Sequence, residues 1–171
     1  MSDMSSEWVL DQTKEIFNLG ITSAAHEISE LVGERVELSI PIVRFDTLSS
    51  IMEEIGGKDR QVSSVLHKFQ GQLQGRGFLL IDHSSSMKLI RFLLQEELDY
   101  GYLTESEKDA IIDLSTEIIN GVLMALSGEL SLTLSSKLPK YLEGKLGSVL
   151  NNMIQVSESA DDKYLFVCIA I

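Results

Sequence analysis

At about 100° per residue, residues 7 to about 32 gather Leu10, Phe17, Ile21, Ala24, Ile28 and Leu31 into one apolar stripe. Asp11, Glu15, Asn18, Thr22, His26 and Ser29 form a second, polar stripe. The pattern predicts a long helix with one side for a core and another for water. Gly33 closes it, as a residue that accepts the left-handed C-cap conformation, and Trp8 anchors its start. Val36 to Val43 then alternates, apolar at 36, 38, 40 and 42, as a half-buried strand does. Pro41 has no N–H for a ladder, so it marks an edge or a strand end. Asp46 or Thr47 caps a short helix near 48–55, ended by Gly56 and Gly57. Residues 60–82 read as a hairpin that turns within Gly71–Gly77 and returns through Phe78–Ile81. Ser84–Ser86 then cap a helix carrying Met87, Leu89, Ile90, Phe92 and Leu93.

The order then begins again. Thr104 and Glu107 have the spacing of a capping box, and a second long helix rich in Ile, Leu and Val follows to about Leu126. Leu130–Leu134 alternates like a strand and leads to Pro139. A short helix near 145–154 and a strand at 163–171 complete the reading. Helix, strand, helix, strand therefore occurs twice. The fold class is α/β of the α+β type: a pseudo-two-fold single domain over 1–171, with half-units at about 7–98 and 99–171. Two long helices pack with a mainly antiparallel, continuous sheet. The second unit lacks the last strand and helix of the first, so the strand at Ile171 has no hairpin partner. An edge of that kind invites a second chain, which makes a homodimer through it an expectation.

Composition narrows the class of partner. The chain of 171 residues is 44% hydrophobic and 23% charged, an ordinary globular mixture long enough for a real core. Twenty-six acidic residues against 14 basic ones give a net charge of −12, which disfavours nucleic acid or an anionic membrane as partner. A partner presenting Lys or Arg fits better. Cys168, the one cysteine, lies in an apolar run and reads as a small core residue in a reducing compartment. The N-terminus is polar and acidic, unlike a signal peptide, and no apolar run approaches a membrane span, so a cytoplasmic protein is expected.

The chemistry concentrates on the first helix. Asp11, Glu15 and Asn18 are followed, after twenty-two intervening residues, by Pro41. Spacings of four and three residues put the three side chains on one helical face, about a third of a turn from the apolar stripe. This pattern, an acid, three residues, Glu, two residues, Asn, and a Pro after twenty-two more, resembles the one that defines the CheC family of bacterial chemotaxis phosphatases. The resemblance extends more weakly over the whole chain through its two-unit arrangement. It implies hydrolysis of the aspartyl phosphate on a CheY-type response regulator in two-component signalling. Asn18 would orient the attacking water, and Glu15 would form an ion pair with the regulator's active-site Lys. Asp11 supports the helix or its rim. No cofactor of its own is implied, because the Mg2+ belongs to the regulator. The chemistry suits those residue types: a side-chain amide both donates to and accepts from water, and the regulator already stabilises its phosphoryl group.

In the second helix two registers compete. Asp113, Glu117 and Asn120 repeat the motif literally, but only eighteen residues separate Asn120 from Pro139. Keeping twenty-two residues before Pro139 puts Asp113 at the Glu position and Thr116 at the Asn position, a degenerate site. A rival from another class is a non-enzymatic binding module. The middle domain of flagellar switch proteins such as FliM shares the fold, and CheC relatives bind receptor-modifying partners such as CheD. His26 reads as a surface residue, and His67 and His83 have no metal-ligand spacing. Met4, Met52, Met87, Met124 and Met153 read as core filler.

Overall fold

The computed structural model describes residues 3–37, 42–95, 101–153 and 163–168. Pro41 and Ile171, on which two of the expectations rest, lie outside them, as does the side chain of Cys168.

Helix α1 (Asp3–Val32) is the long helix predicted from the stripe. Ile21, Ala24 and Ile28 are buried, and Leu10 and Phe17 half-buried. Leu31 departs from the stripe and is 74% exposed. Gly33 (φ +72°) donates to the Ser29 carbonyl at 3.0 Å and closes the helix as expected. Of the strand expected at 36–43, residues 38–41 lie outside the described residues. Residues 35–37 carry no regular structure, and β1 covers Ile42–Thr47. The Val36 N–H bonds to the Ser29 hydroxyl at 2.8 Å, a side-chain partner in place of a sheet ladder.

Both proposed caps serve α2 (Leu48–Glu54). The Thr47 hydroxyl accepts from the Ser50 N–H, and the Asp46 carboxylate accepts from the Thr47 N–H and the Ser50 hydroxyl. The hairpin is β2 (Gln61–Gly71) and β3 (Gly75–Asp82), so its turn is shorter than Gly71–Gly77. Helix α3 (His83–Leu94) starts directly after Asp82, which puts Ser84–Ser86 inside the helix rather than at its cap. Phe92 lies on its exposed side.

Helix α4 (Glu105–Leu130) opens with the predicted capping box of Thr104 and Glu107. It outruns the expected end. Leu126 is still buried against α1, packing that lets the helix propagate, so Leu130 ends a helix instead of starting a strand. Strands β4 (Leu134–Ser136) and β5 (Lys140–Lys145), helix α5 (Leu146–Met153) and strand β6 (Lys163–Cys168) follow. By length and composition alone α4 could cross a membrane, which amends the expectation that no apolar run comes near a span. Here its apolar side packs on α1 and the sheet.

All pairings among the described residues are antiparallel. β2 is central, with β3 on one side and β4 and β5 end to end on the other. Leu66 pairs with Lys140 and Phe69 with Ser136, so two residues of β2 face three of the other strand. Pro139 sits in this bulge, where no ladder N–H is needed. Among the described residues β1 and β6 form a separate two-stranded ladder. The strand expected to lack a hairpin partner pairs on one edge with the distant β1. Val62 and Leu66 point to α5, whereas Val65 points to α3 and α4. On that second face His67 is 1% exposed, with Nε2 2.8 Å from the Ser115 hydroxyl of α4.

The two units repeat in space. Thr47 at the end of β1 pairs with Lys163 at the start of β6, and Lys145 at the end of β5 pairs with Gln61 at the start of β2. This exchange is what a pseudo-two-fold axis produces. α1 and α4 cross where Gly20 meets Gly121, and a Cβ on Gly20 would lie 2.6 Å from the Val122 Cα.

Candidate functional site

The face of α1 about a third of a turn from its buried stripe carries the predicted residues. Asp11, Glu15 and Asn18 are all exposed, on successive turns of one helix. Among the described residues, none of the three side chains has a hydrogen-bond or ion-pair partner. Beside them the Thr22 hydroxyl donates to the Asn18 carbonyl at 2.8 Å, and the Thr13 hydroxyl to the Val9 carbonyl at 2.7 Å. The Asn18 amide and the Glu15 carboxylate are thus free for an external partner while their helix is held rigidly by the core. An amide and a carboxylate one turn apart can dock a cation and orient a water; they form no covalent nucleophile. His26 is exposed and lies 3.6 Å from Glu30, as a surface histidine would.

The geometry decides between the two registers on α4. α1 ends at Val32 and α4 at Leu130, and 130 − 32 = 98. The same shift relates the left-handed caps Gly33 and Ser131, the strand ends Thr47 and Lys145, and the helix starts Leu48 and Leu146. Pro41 and Pro139 are also 98 apart in sequence. The counterparts of Glu15 and Asn18 are therefore Asp113 and Thr116, and the literal repeat Glu117 and Asn120 corresponds to Leu19 and Thr22.

That second face is differently occupied. The Thr116 hydroxyl is half-buried and donates to its own helix at the Ile112 carbonyl, 2.7 Å away. Glu117 faces Glu27 of α1; partial burial and its hydrogen bond to Glu27 push its carboxyl above the usual range, and the Glu27 and Asp113 charges add to this. No group of three or more His, Cys, Asp or Glu side chains suited to a metal occurs among the described residues.

Two features of the face were not read from the sequence. Trp8, expected to anchor the helix, is 64% exposed, and Leu19 is 55% exposed. Met124, expected in the core, is 73% exposed on α4. For Leu19 a signal existed, since it lies well off the apolar stripe; for Trp8 none separated an anchor from an exposed ring.

No protein-family model matches the sequence. Over 161 residues the chain is 22% identical to the CheY-P phosphatase CheC of Bacillus subtilis, covering 88% of this chain and 76% of that protein. Its fold is similar to that of Thermotoga maritima FliY, with a TM-score of 0.75 at 18% identity, covering 94% of this chain and 80% of that one. It is also similar to the FliM middle domain from H. pylori, with a TM-score of 0.66 at 14% identity, over 94% and 82% of the two chains. At these identities the solved structures establish the fold. The fold is therefore CheC-like, and the sequence match is to a CheC phosphatase.

Proposed function

We propose that this CheC-like chain is a phosphatase of a phosphorylated CheY-type response regulator, acting in the cytoplasm through Glu15 and Asn18. The observation that carries the reading is the exposed, unpartnered Glu15–Asn18 pair on a helix braced by the core. The Glu15 carboxylate docks against the regulator's active-site Lys. The Asn18 amide accepts a hydrogen bond from one water and donates to it, aligning its oxygen with the aspartyl phosphate. Attack forms the new P–O bond as the acyl–phosphate P–O bond breaks. The regulator recovers its aspartate carboxylate, and inorganic phosphate leaves. Charge on the phosphoryl oxygens is borne by the regulator's own Mg2+ and Lys, so this chain supplies position rather than a cofactor. Its net charge of −12 suits a partner that presents a lysine.

Phosphate release from the phosphorylated regulator tests the reading. Wild-type protein accelerates release above the regulator's own rate, and Asn18→Ala lowers kcat by about 100-fold, the scale of losing a positioning group. A wild-type protein that gives no acceleration, or an Asn18→Ala protein with full activity, overturns it.

A second reading rests on α4. With Asp113 and Thr116 in place of Glu and Asn, half of the pseudo-symmetric surface lacks the pair, as suits a binding module of the FliM kind or one that engages a CheD-like partner. Regulator binding without hydrolysis by the wild-type protein would favour it.

A further inference from the structure

We propose that Trp8 and Leu19 are the apolar anchors by which α1 docks the phosphorylated response regulator, on either side of Glu15. The inference rests on the phosphatase reading of Glu15 and Asn18 and extends it to affinity. On a helical projection Trp8 falls within about 20° of Glu15 and Leu19 within about 40°. Trp8 lies two turns before Glu15, and Leu19 one turn after it. Both are more than half exposed, at 64% and 55%. Single exposed apolar residues are ordinary on a protein surface, so exposure alone decides nothing. The internal comparison does. Shifting by the 98 positions that relate the two units turns Trp8 into Ser106 and Leu19 into Glu117. The same shift turns Glu15 into Asp113 and Asn18 into Thr116. One helix therefore carries the Glu–Asn pair and both apolar groups on its outer face, and its counterpart carries none of the four. Neither apolar group belongs to a buried core cluster. Their co-occurrence with the pair is what a docking surface requires and what fold maintenance does not.

The charge on the same face selects the occupant. Glu7, Asp11 and Glu15 are exposed there with one cation, Lys14, at the edge beside Glu7, so the net charge is acidic and the partner offers a lysine next to an apolar rim. A large aromatic ring and a leucine beside a buried ion pair match the composition of energetically dominant interface positions. Excluding water around the Glu15–Lys pair also strengthens it, since its attraction rises as the local dielectric falls.

The test uses the full chain with Trp8→Ser and Leu19→Glu, the residues found at the equivalent places on α4. Phosphate release is followed against the concentration of a phosphorylated CheY-type regulator from the same organism. Binding is titrated separately with that regulator activated by beryllofluoride, and thermal melts confirm folding. We expect KM and Kd to rise by at least about ten-fold in each variant, with kcat at saturation within about two-fold of wild type. Leu19→Met should restore most of the affinity. Asn18→Ala gives the opposite split, losing kcat while retaining the beryllofluoride complex. Unchanged KM and Kd in both variants would overturn the anchors and leave the phosphatase reading standing. If wild-type protein binds without hydrolysing, and Trp8→Ser weakens that binding, the anchors stand and the enzyme reading falls. No binding by the wild-type protein overturns both.

Discussion

Helices α1 and α4 occupy equivalent places in the two units, yet only their buried sides are alike. Gly20, Ala24 and Ile28 of α1 correspond to Ile118, Val122 and Leu126 of α4, and all six are buried. Their outer sides diverge. α1 presents Glu15 and Asn18 without partners among the described residues, whereas Thr116 is bonded to its own helix and Glu117 is crowded by the Glu27 carboxyl. The lesson is physical. Buried positions are held to one pattern by close packing across the crossing, where a single added methyl meets backbone. Exposed positions carry no such constraint, so one face can present a Glu–Asn pair while its counterpart lacks it without cost to the fold.

The sharpest way to break this contrast is kinetic. Glu15→Ala with Asn18→Ala should remove essentially all accelerated dephosphorylation, about 100-fold or more, while Glu117→Ala with Asn120→Ala should leave the rate near normal. The measurement is phosphate release per molecule at saturating regulator. If the second double variant lost half of the rate, the two helices would be equal centres, and the 98-residue correspondence would not describe the chemistry.

Next in size is the crossing itself. Gly20→Ala places a Cβ 2.6 Å from the Val122 Cα and 2.7 Å from the Gly121 carbonyl oxygen. Backbone cannot move aside as a side chain can, so the variant should lose more than about 2 kcal/mol in urea unfolding. Gly128→Ala, on the same α4 with no atom within 4 Å of the added carbon, should be neutral or gain up to about 1 kcal/mol from helix propensity. Equal effects at the two sites would mean that the helices do not approach at Gly20.

The buried side of α4 offers a third test. Burial lowers the His67 imidazole below its ordinary 6.5, so the folded state holds it neutral beside Ser115. Unfolded protein takes up that proton more readily. The stability is therefore fully present above about pH 6.5 and falls as pH drops through it. His67→Phe should flatten this part of the pH profile. Ser115→Ala should cost about 1–3 kcal/mol at neutral pH by leaving a buried ring nitrogen without its partner. A melting temperature independent of pH between 7 and 5.5 in the wild type, with little change in His67→Phe, would contradict this account.

The smallest effect is expected on the divergent outer face. The Glu117 carboxyl is raised above its ordinary 4.5, so folding favours its protonated form. Its charge thus subtracts from stability at neutral pH, and the loss disappears below about pH 4.5. Glu117→Gln should raise the melting temperature slightly at pH 7 and leave it unchanged at pH 4. A decrease at pH 7 would show that Glu117 makes a favourable contact that Gln cannot replace.

What the sequence determined by itself was local. The stripe on α1, the Gly33 cap, the Thr104–Glu107 capping box, the hairpin and the spacing of Asp11, Glu15 and Asn18 all follow from periodicity and from interactions within about four residues. That range is short enough to read along a chain. The exposure of Glu15 and Asn18 was legible for the same reason, since one helical face excludes the other. What needed the tertiary structure was anything set by a distant partner. The end of α4 at Leu130 depends on packing against α1. The partner of β6 is β1, more than a hundred residues away along the chain. The register of the second motif was ambiguous because both candidates satisfy helical spacing equally. Only the coincidence of helix ends, left-handed caps and strand ends, brought into correspondence by the pseudo-two-fold packing, separated them.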